Sequence, residues 1–332
     1  MKTVTRISEM QKFHFGRKIE SSDGEAGSLA YVVFDDTTRR LTHLGVKQGH
    51  LFSKTFNLPY DTVVEATGDG ILLRIPRAEL AAAGKKTVEG AVLDRRSVIE
   101  REGSQDRGTL LLVAVQPKIG ALAYLVVHHL RPKQDTLLPE QYVTKIATGR
   151  IEVMLPDAIL NALPPYRPDA ELQQEVESIL FDLTPLHIDL KGITIRVLDS
   201  VLYLNGNISS QLRADIVEDQ VLGVPGLLEI KNNLFGDDRL AADLARALAL
   251  DLRTGDLPIG IYPSLGEVRL SGAVRTSQQK AIAEEIVRDF PGVRSVINDL
   301  VVDPKARLLP ILVPTGIEAE DNVPGKYVRH TK

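Results

Sequence analysis

Residues 290–300 read FPGVRSVINDL, and residues 224–234, sixty-six positions upstream, read VPGLLEIKNNL with no gap. Extended outward, ITIRVLDSVLYLNGNISSQLRADIVEDQVLGVPGLLEIKNNL (193–234) lies over IGIYPSLGEVRLSGAVRTSQQKAIAEEIVRDFPGVRSVINDL (259–300) in one register. Leu204, Gly206, Ile216, Glu218, Val221, Pro225, Gly226, Asn232 and Leu234 meet identical residues at Leu270, Gly272, Ile282, Glu284, Val287, Pro291, Gly292, Asn298 and Leu300. Similarity over this length marks a duplicated structural unit.

Each unit reads as α-β-β-α-β. Ile193, Ile195 and Val197 alternate, as do Val268 and Leu270, which predicts strands meeting across the tight turns Asp199-Ser200 and Leu265-Gly266. Ser209 and Ser210, or Thr276 and Ser277, can cap a helix whose apolar face is Ile216, Val217 and Val221, or Ile282, Ile286 and Val287. Proline disfavours the α conformation in the residue before it and glycine turns at positive φ, so each Pro-Gly pair stops its helix and sends the chain into a last strand. A leading helix carries Leu172, Val176, Ile179 and Leu180 in the first unit, and Leu240, Leu244, Ala247 and Leu248 in the second.

With that element order, the LxG at the end of the second strand and the PG(V/L)xxVxNxL ending, residues 169–236 and 237–303 resemble the BON domain, twice in tandem. The resemblance implies modules that bind phospholipid or other envelope components. Charge opposes the lipid reading: residues 168–303 carry 12 Lys and Arg against 22 Asp and Glu. Anionic lipid attracts a protein by about 1 kcal/mol per basic residue near its surface, so several are needed together.

The N-terminal half repeats more faintly. LPYDTVVEATGDGILLRIPRAEL (58–80) lies over LPEQYVTKIATGRIEVMLPDAIL (138–160) at an offset of 80, and Ile19-Glu20 meets Ile99-Glu100. Asp23-Gly24 and Asp36-Thr37-Thr38 mark tight turns, and the mostly apolar runs 28–34 and 41–46 predict a small sheet curling into a closed or nearly closed β-barrel. SDGExG, DxxTxRxTHLxV and LPYDxV, within residues 14–76, resemble the PRC-barrel domain; the second copy keeps the strand pattern but has EREGSQDRG in place of the Asp-Gly turn. The resemblance implies docking modules without a catalytic set, as in the photosynthetic reaction-centre H subunit and in ribosome-maturation factors.

The expected chain is an α+β multidomain protein: PRC-barrel-like domains at 1–92 and 93–163, a Pro-rich linker at 164–168, BON-like domains at 169–236 and 237–303, and an extended tail at 304–332. LPPYRPD (163–169) predicts a semi-rigid polyproline spacer. LLPILVP (308–314) is apolar enough to fold back on this chain or to contact another.

Composition narrows the chemistry. The 332 residues are 43% hydrophobic and 25% charged, as in an ordinary globular protein, and the absence of cysteine excludes disulfides, thiolate nucleophiles and cysteine-bound metal. MKTVTRISEMQKFHFGRK lacks the apolar core of a signal peptide and nowhere do about eighteen apolar residues run together, so a cytoplasmic protein without a transmembrane segment is expected. The seven histidines lack the spacing of a zinc helix, and alternation along a strand should send His128 and His129 to opposite faces. Phosphate-binding Gly-rich loops, a nucleophile elbow and a complete calcium loop are all missing. DRRSVIEREGSQDRG (94–108) balances four Arg against two Asp and two Glu, and with 5% aromatics and no tryptophan nothing offers a base-stacking platform.

These readings assign no catalytic, cofactor-binding or metal-ligating residue and expect no cofactor; no binding residue is singled out. The expected function is a non-catalytic cytoplasmic scaffold or adaptor whose duplicated modules bind another protein or a second copy of the chain. Peripheral phospholipid or envelope binding is the second reading. A ribosome-maturation or RNA-linked role is the third, and nucleic acid is disfavoured by the missing basic patch.

Overall fold

Apolar alternation and tight turns in the first 84 residues produce short strands: β1 (Gln11–His14), β2 (Lys18–Ser21), β3 (Gly24–Phe34), β4 (Leu41–Gln48), β5 (Lys54–Pro59), β6 (Val63–Thr67) and β7 (Gly70–Leu73), followed by one helical turn, α1 (Leu80–Ala83). The second copy repeats them as β8 (Ala91–Asp94), β9 (Val98–Arg101), β10 (Arg107–Val115), β11 (Leu122–Arg131), β12 (Gln134–Pro139), β13 (Val143–Ala147), β14 (Arg150–Val153) and α2 (Asp157–Ala162). The structure, a computed structural model, describes residues 6–49, 54–84, 87–183 and 189–307.

Two curved sheets result, ordered β5-β4-β3-β2-β7-β6 and β13-β14-β9-β10-β11-β12. Their first strands are exchanged. β1 pairs antiparallel with β10, Phe13 opposite Val113, while β8 pairs antiparallel with β3, Leu93 opposite Val32. One apolar core therefore runs through both halves, with Phe13, Ile19, Leu44 and Leu58 joining Leu93, Ile99, Leu110 and Leu125. The expected division at residue 92 is crossed in both directions by backbone pairing. Nor do the sheets close as separate barrels, since among the described residues no ladder joins β5 to β6 or β12 to β13.

The expected spacer is also part of a sheet. Pro165–Tyr166 form β15, which pairs with β12 through Thr136 opposite Pro165 and Asp135 opposite Tyr166. An edge strand tolerates proline because its outer side needs no ladder N–H.

The first C-terminal module comprises α3 (Asp169–Asp182), β16 (Ile193–Leu198), β17 (Val201–Ile208), α4 (Gln211–Val221) and β18 (Glu229–Gly236); the second comprises α5 (Asp237–Leu250), β19 (Ile259–Ser264), β20 (Glu267–Val274), α6 (Ser277–Arg288), β21 (Ser295–Asn298) and β22 (Val301–Val302). In each a hairpin is followed by a parallel strand on the hairpin's second arm. Leu172, Val176, Leu180, Val217 and Val221 form one core, and Leu240, Leu244, Leu248, Ala283 and Val287 the other. Ser210 and Thr276 cap the second helices, their side chains accepting from the N–H of Arg213 and Gln279. Ile216 departs from its expected place: it is 40% exposed, and Ala214 fills the apolar face with Val217 and Val221.

The duplication extends to individual hydrogen bonds. Asn232 Nδ2 donates to Ala214 O (3.1 Å) and Glu218 Oε2 (3.0 Å), and Asn298 Nδ2 donates to Lys280 O (3.0 Å) and Glu284 Oε2 (2.9 Å). Asp169 accepts from the N–H groups of Asp199 (2.8 Å) and Ser200 (2.9 Å); Asp237 accepts from those of Leu265 (2.8 Å) and Gly266 (3.3 Å). Thus the first residue of each leading helix pins the hairpin turn, whose two residues have positive φ in both copies. Gly206 (φ +121) and Gly272 (φ +108) sit where a Cβ would collide with the carbonyl oxygens of Gly192 and Pro258.

The chain divides after Gly236 into compact units of residues 1–236 and 237–332. The start of the tail is fastened to the second unit, with Arg275 Nε donating to Ala306 O (2.8 Å). LLPILVP (308–314) lies outside the described residues.

Candidate functional site

Within the first unit, the turn end of the β16–β17–β18 sheet rests on the strand-exchanged body. Asp199 is 2% exposed; its Oδ1 lies 2.6 Å from His14 Nε2 on β1, and its Oδ2 accepts from the Gly68 N–H at 2.9 Å. Glu229, at the start of β18, accepts from both the N–H and the hydroxyl of Ser8 at 2.9 Å. Burial raises its pKa, but the Ser8 bonds and Lys231 outweigh burial and hold the carboxyl below its usual range. Arg196 pairs with Asp69, and Leu228 packs on an apolar patch of Leu112, Tyr124, Val126 and Leu137.

One polar group in this region is left unsatisfied: Ser200 is fully buried and its Oγ has no hydrogen-bond partner among the described residues. Lys12, on β1 opposite Ala114, is 2% exposed. Burial pulls its pKa down, opposed by the charges of Asp199, Glu229 and Asp169. Tyr124 and Tyr166 nearby have hydroxyls pushed well above their usual range, first by burial and then by surrounding carboxylates.

The second module carries different residues at the same end. Sixty-six positions on from Arg196, Asp199, Leu228 and Glu229 stand Tyr262, Leu265, Arg294 and Ser295. Tyr262 is 60% exposed, and Ser264, Leu265, Glu267, Arg294 and Ser295 line an open hollow of about 430 Å³. Arg294 has no carboxylate partner among the described residues, while Arg269 on the outer face lies 3.4 Å from Asp299. The two modules thus share the residues that make the fold and differ in the residues at this end.

The adjacent histidines correct a sequence expectation. His129 has φ +62, which breaks strand alternation, and the rings of His128 and His129 come to the same side with centroids 3.5 Å apart. The cause is a register shift between Val127 and Arg131 in the β11–β12 ladder. His128 pairs with Asp135. His128, His129, Lys133, Tyr166, Arg167 and Glu171 help line a 490 Å³ groove of mixed charge. Even so, no group of three metal-ligating side chains converges among the described residues. His14 was missed as a contact residue because its partner lies 185 residues away, whereas His50, His187 and His330 lie outside the described residues.

Within the charged run 94–108, Arg101, Arg107 and Glu100 are held in ion pairs. Arg101 holds Asp106 (2.8 Å) and Asp157, Arg107 faces Glu100 (3.3 Å), and Arg150 reaches Glu100 (2.6 Å). No helix among the described residues is long and apolar enough to cross a membrane.

Residues 236–304 match the BON domain. The chain is also similar to osmotically-inducible protein Y of Escherichia coli (strain K12), at 25% identity over 159 residues, 43% of this chain and 77% of that protein. Two solved structures of CdsD, a structural protein of the type III secretion system of Chlamydia trachomatis, align at 18% and 19% identity with a TM-score of 0.35 each. They cover 41% and 42% of this chain, and the chain spans 64% of the first and 68% of the second.

Proposed function

We propose that the protein is a non-catalytic binding protein whose BON module at 236–304 engages another macromolecule through the free turn end and outer face of its sheet. The observation that carries this reading is the contrast between copies. One turn end is occupied by the chain's own body, and the other presents Tyr262 and Arg294 to solvent, with Leu265 half-buried, at the same positions. Residues 169–236 are read as a second BON module on their shared hydrogen bonds, and residues 6–163 as a strand-exchanged pair of PRC-barrel-like repeats that carries it.

Affinity capture with the full chain and with a Tyr262→Ala, Arg294→Ala variant tests the reading. A partner retained by the first and lost by the second supports it; a partner set unchanged by the variant places binding elsewhere. Cell fractionation decides whether the protein works in the cytoplasm or at the envelope.

A phospholipid ligand is the second reading, and charge opposes it less in the second module than in the first. Residues 237–303 carry 8 basic against 11 acidic residues, whereas residues 169–236 carry 4 against 11, so the second module is far less repelled by anionic surfaces. Co-sedimentation with anionic vesicles at low salt checks this reading, and a chain left wholly in the supernatant refutes it.

A further inference from the structure

We propose that the contact between residues 169–236 and the strand-exchanged body is a latch: the first module swings off as a folded unit, and the closed state masks the turn end that the second module leaves open. The masking rests on the binding role proposed above for that end. The opening does not.

Several observations converge on a contact built to separate. The module has its own core, Leu172 to Leu234, distinct from the core that runs from Phe13 to Leu163 in the body, so separation breaks neither. What joins them is a small apolar patch with Leu228 and a set of point contacts at one sheet end: Asp199 to His14 and Gly68, Glu229 to Ser8, Arg196 to Asp69. Ser200 Oγ, in the turn beside Asp199, is buried without a hydrogen-bond partner, and an unsatisfied buried polar group favours the state in which water reaches it. The tether is short: residues Pro164 to Tyr166 hold the linker to β12 before α3 begins. Finally, the docking residues are those the copies do not share, whereas Glu218, Asn232 and the glycine of β17 recur in the second module. A contact required by the fold would have kept its residues in both.

The chain has no cysteine, so single thiols report opening without background. Ser200→Cys is nearly isosteric and breaks no hydrogen bond; Ala214→Cys, in the module core, reports unfolding; Ser264→Cys, on the open hollow of the second module, gives the unprotected rate. Labelling of the full chain with a small thiol reagent should be at least tenfold faster at Ser200→Cys than at Ala214→Cys, and slower than at Ser264→Cys. Adding Asp199→Asn with Glu229→Gln, which keep side-chain size and remove the accepting charges, should raise the Ser200→Cys rate at least tenfold and leave Ala214→Cys unchanged.

Equal rates at Ser200→Cys and Ala214→Cys, or a parallel rise of both in the charge-removed background, would show that only unfolding exposes the seam and overturn the latch. A Ser200→Cys rate equal to that of Ser264→Cys in the parent chain would show that no closed state exists. Because labelling needs no ligand, its outcome stands whether or not the binding reading does.

Discussion

Replacing Phe13 with alanine separates the exchanged architecture from two independent halves. Phe13 belongs by sequence to the first repeat, yet its strand lies in the second repeat's sheet opposite Val113, and its side chain is fully buried in the common core. Truncating a buried phenylalanine costs about 3–5 kcal/mol, the lost transfer energy plus the cavity left behind. The edge-on contact with Tyr60, at 6.3 Å between centroids, favours the upper part of that range. For a cooperative unit of this size the loss corresponds to a fall in Tm of roughly 6–20 °C. Since each 1.4 kcal/mol is tenfold in an equilibrium constant, amide protection should fall by about two to three and a half powers of ten. Hydrogen exchange followed residue by residue should show that fall in β10 and β11 as fully as in β3 and β4. Loss confined to residues 18–73, with the amides of Val113 and Leu125 untouched, would refute the exchange; Leu93→Ala is the reciprocal experiment and should weaken β3 and β4.

Asn298→Ala removes the two Nδ2 bonds that fasten α6 to β21 and should destabilise the second unit by about 1–3 kcal/mol, measured by chemical denaturation. Asn298→Asp should be worse than alanine, because it sets a carboxylate against Glu284. Gly272→Ala combines a φ of +108 with a backbone collision and should cost at least ~2 kcal/mol; a Tm within a degree of the parent contradicts that geometry. Alkaline stability carries a tyrosine signature. Burial raises the Tyr60 hydroxyl from 10 to about 12, so its contribution is complete below pH 10 and lost as the pH climbs through about 12. Tyr60→Phe should flatten stability against pH in that window, and ultraviolet titration of the parent should show a fraction of the eight tyrosines ionising late.

The likeness of the two C-terminal modules was legible because most of their shared residues do local work. Val221 and Val287 are fully buried, Asn232 and Asn298 bridge helix to strand, and Gly206 and Gly272 admit a neighbouring carbonyl; each requirement is met within one unit. Strand exchange left no such mark. Alternation in Gln11–His14 and Ala91–Asp94 states which side chains face the core but not which sheet supplies the neighbour, and the two repeats are similar enough for either pairing to satisfy the pattern. His129 was misread for a related reason, since a single residue at positive φ cancels the period on which the reading depended. The linker was misread because three prolines in seven residues suit a free spacer and an edge strand equally well, and only β12 decides between them.

Position 199 shows how the two modules can differ at this end and keep the same fold. In the second copy Leu265 needs only to turn the chain, and its N–H is held by Asp237. In the first copy the same turn is held in the same way by Asp169, which leaves the side chain of residue 199 free of any duty to its own module. An aspartate there can take His14 and Gly68 as partners at no cost to the fold that carries it. The clamp from the leading helix thus separates holding the turn from choosing what the turn touches. The prediction that follows is asymmetric. Asp169→Asn weakens the acceptor of two turn N–H groups and should lower the stability of the module itself, whereas Asp199→Asn should leave the module's own stability intact and weaken only its attachment. Native-state hydrogen exchange distinguishes the two outcomes through the amides of Leu204 and Val217. Loss of protection at those amides in Asp199→Asn equal to that in Asp169→Asn would show that the turn and the seam are one cooperative structure after all.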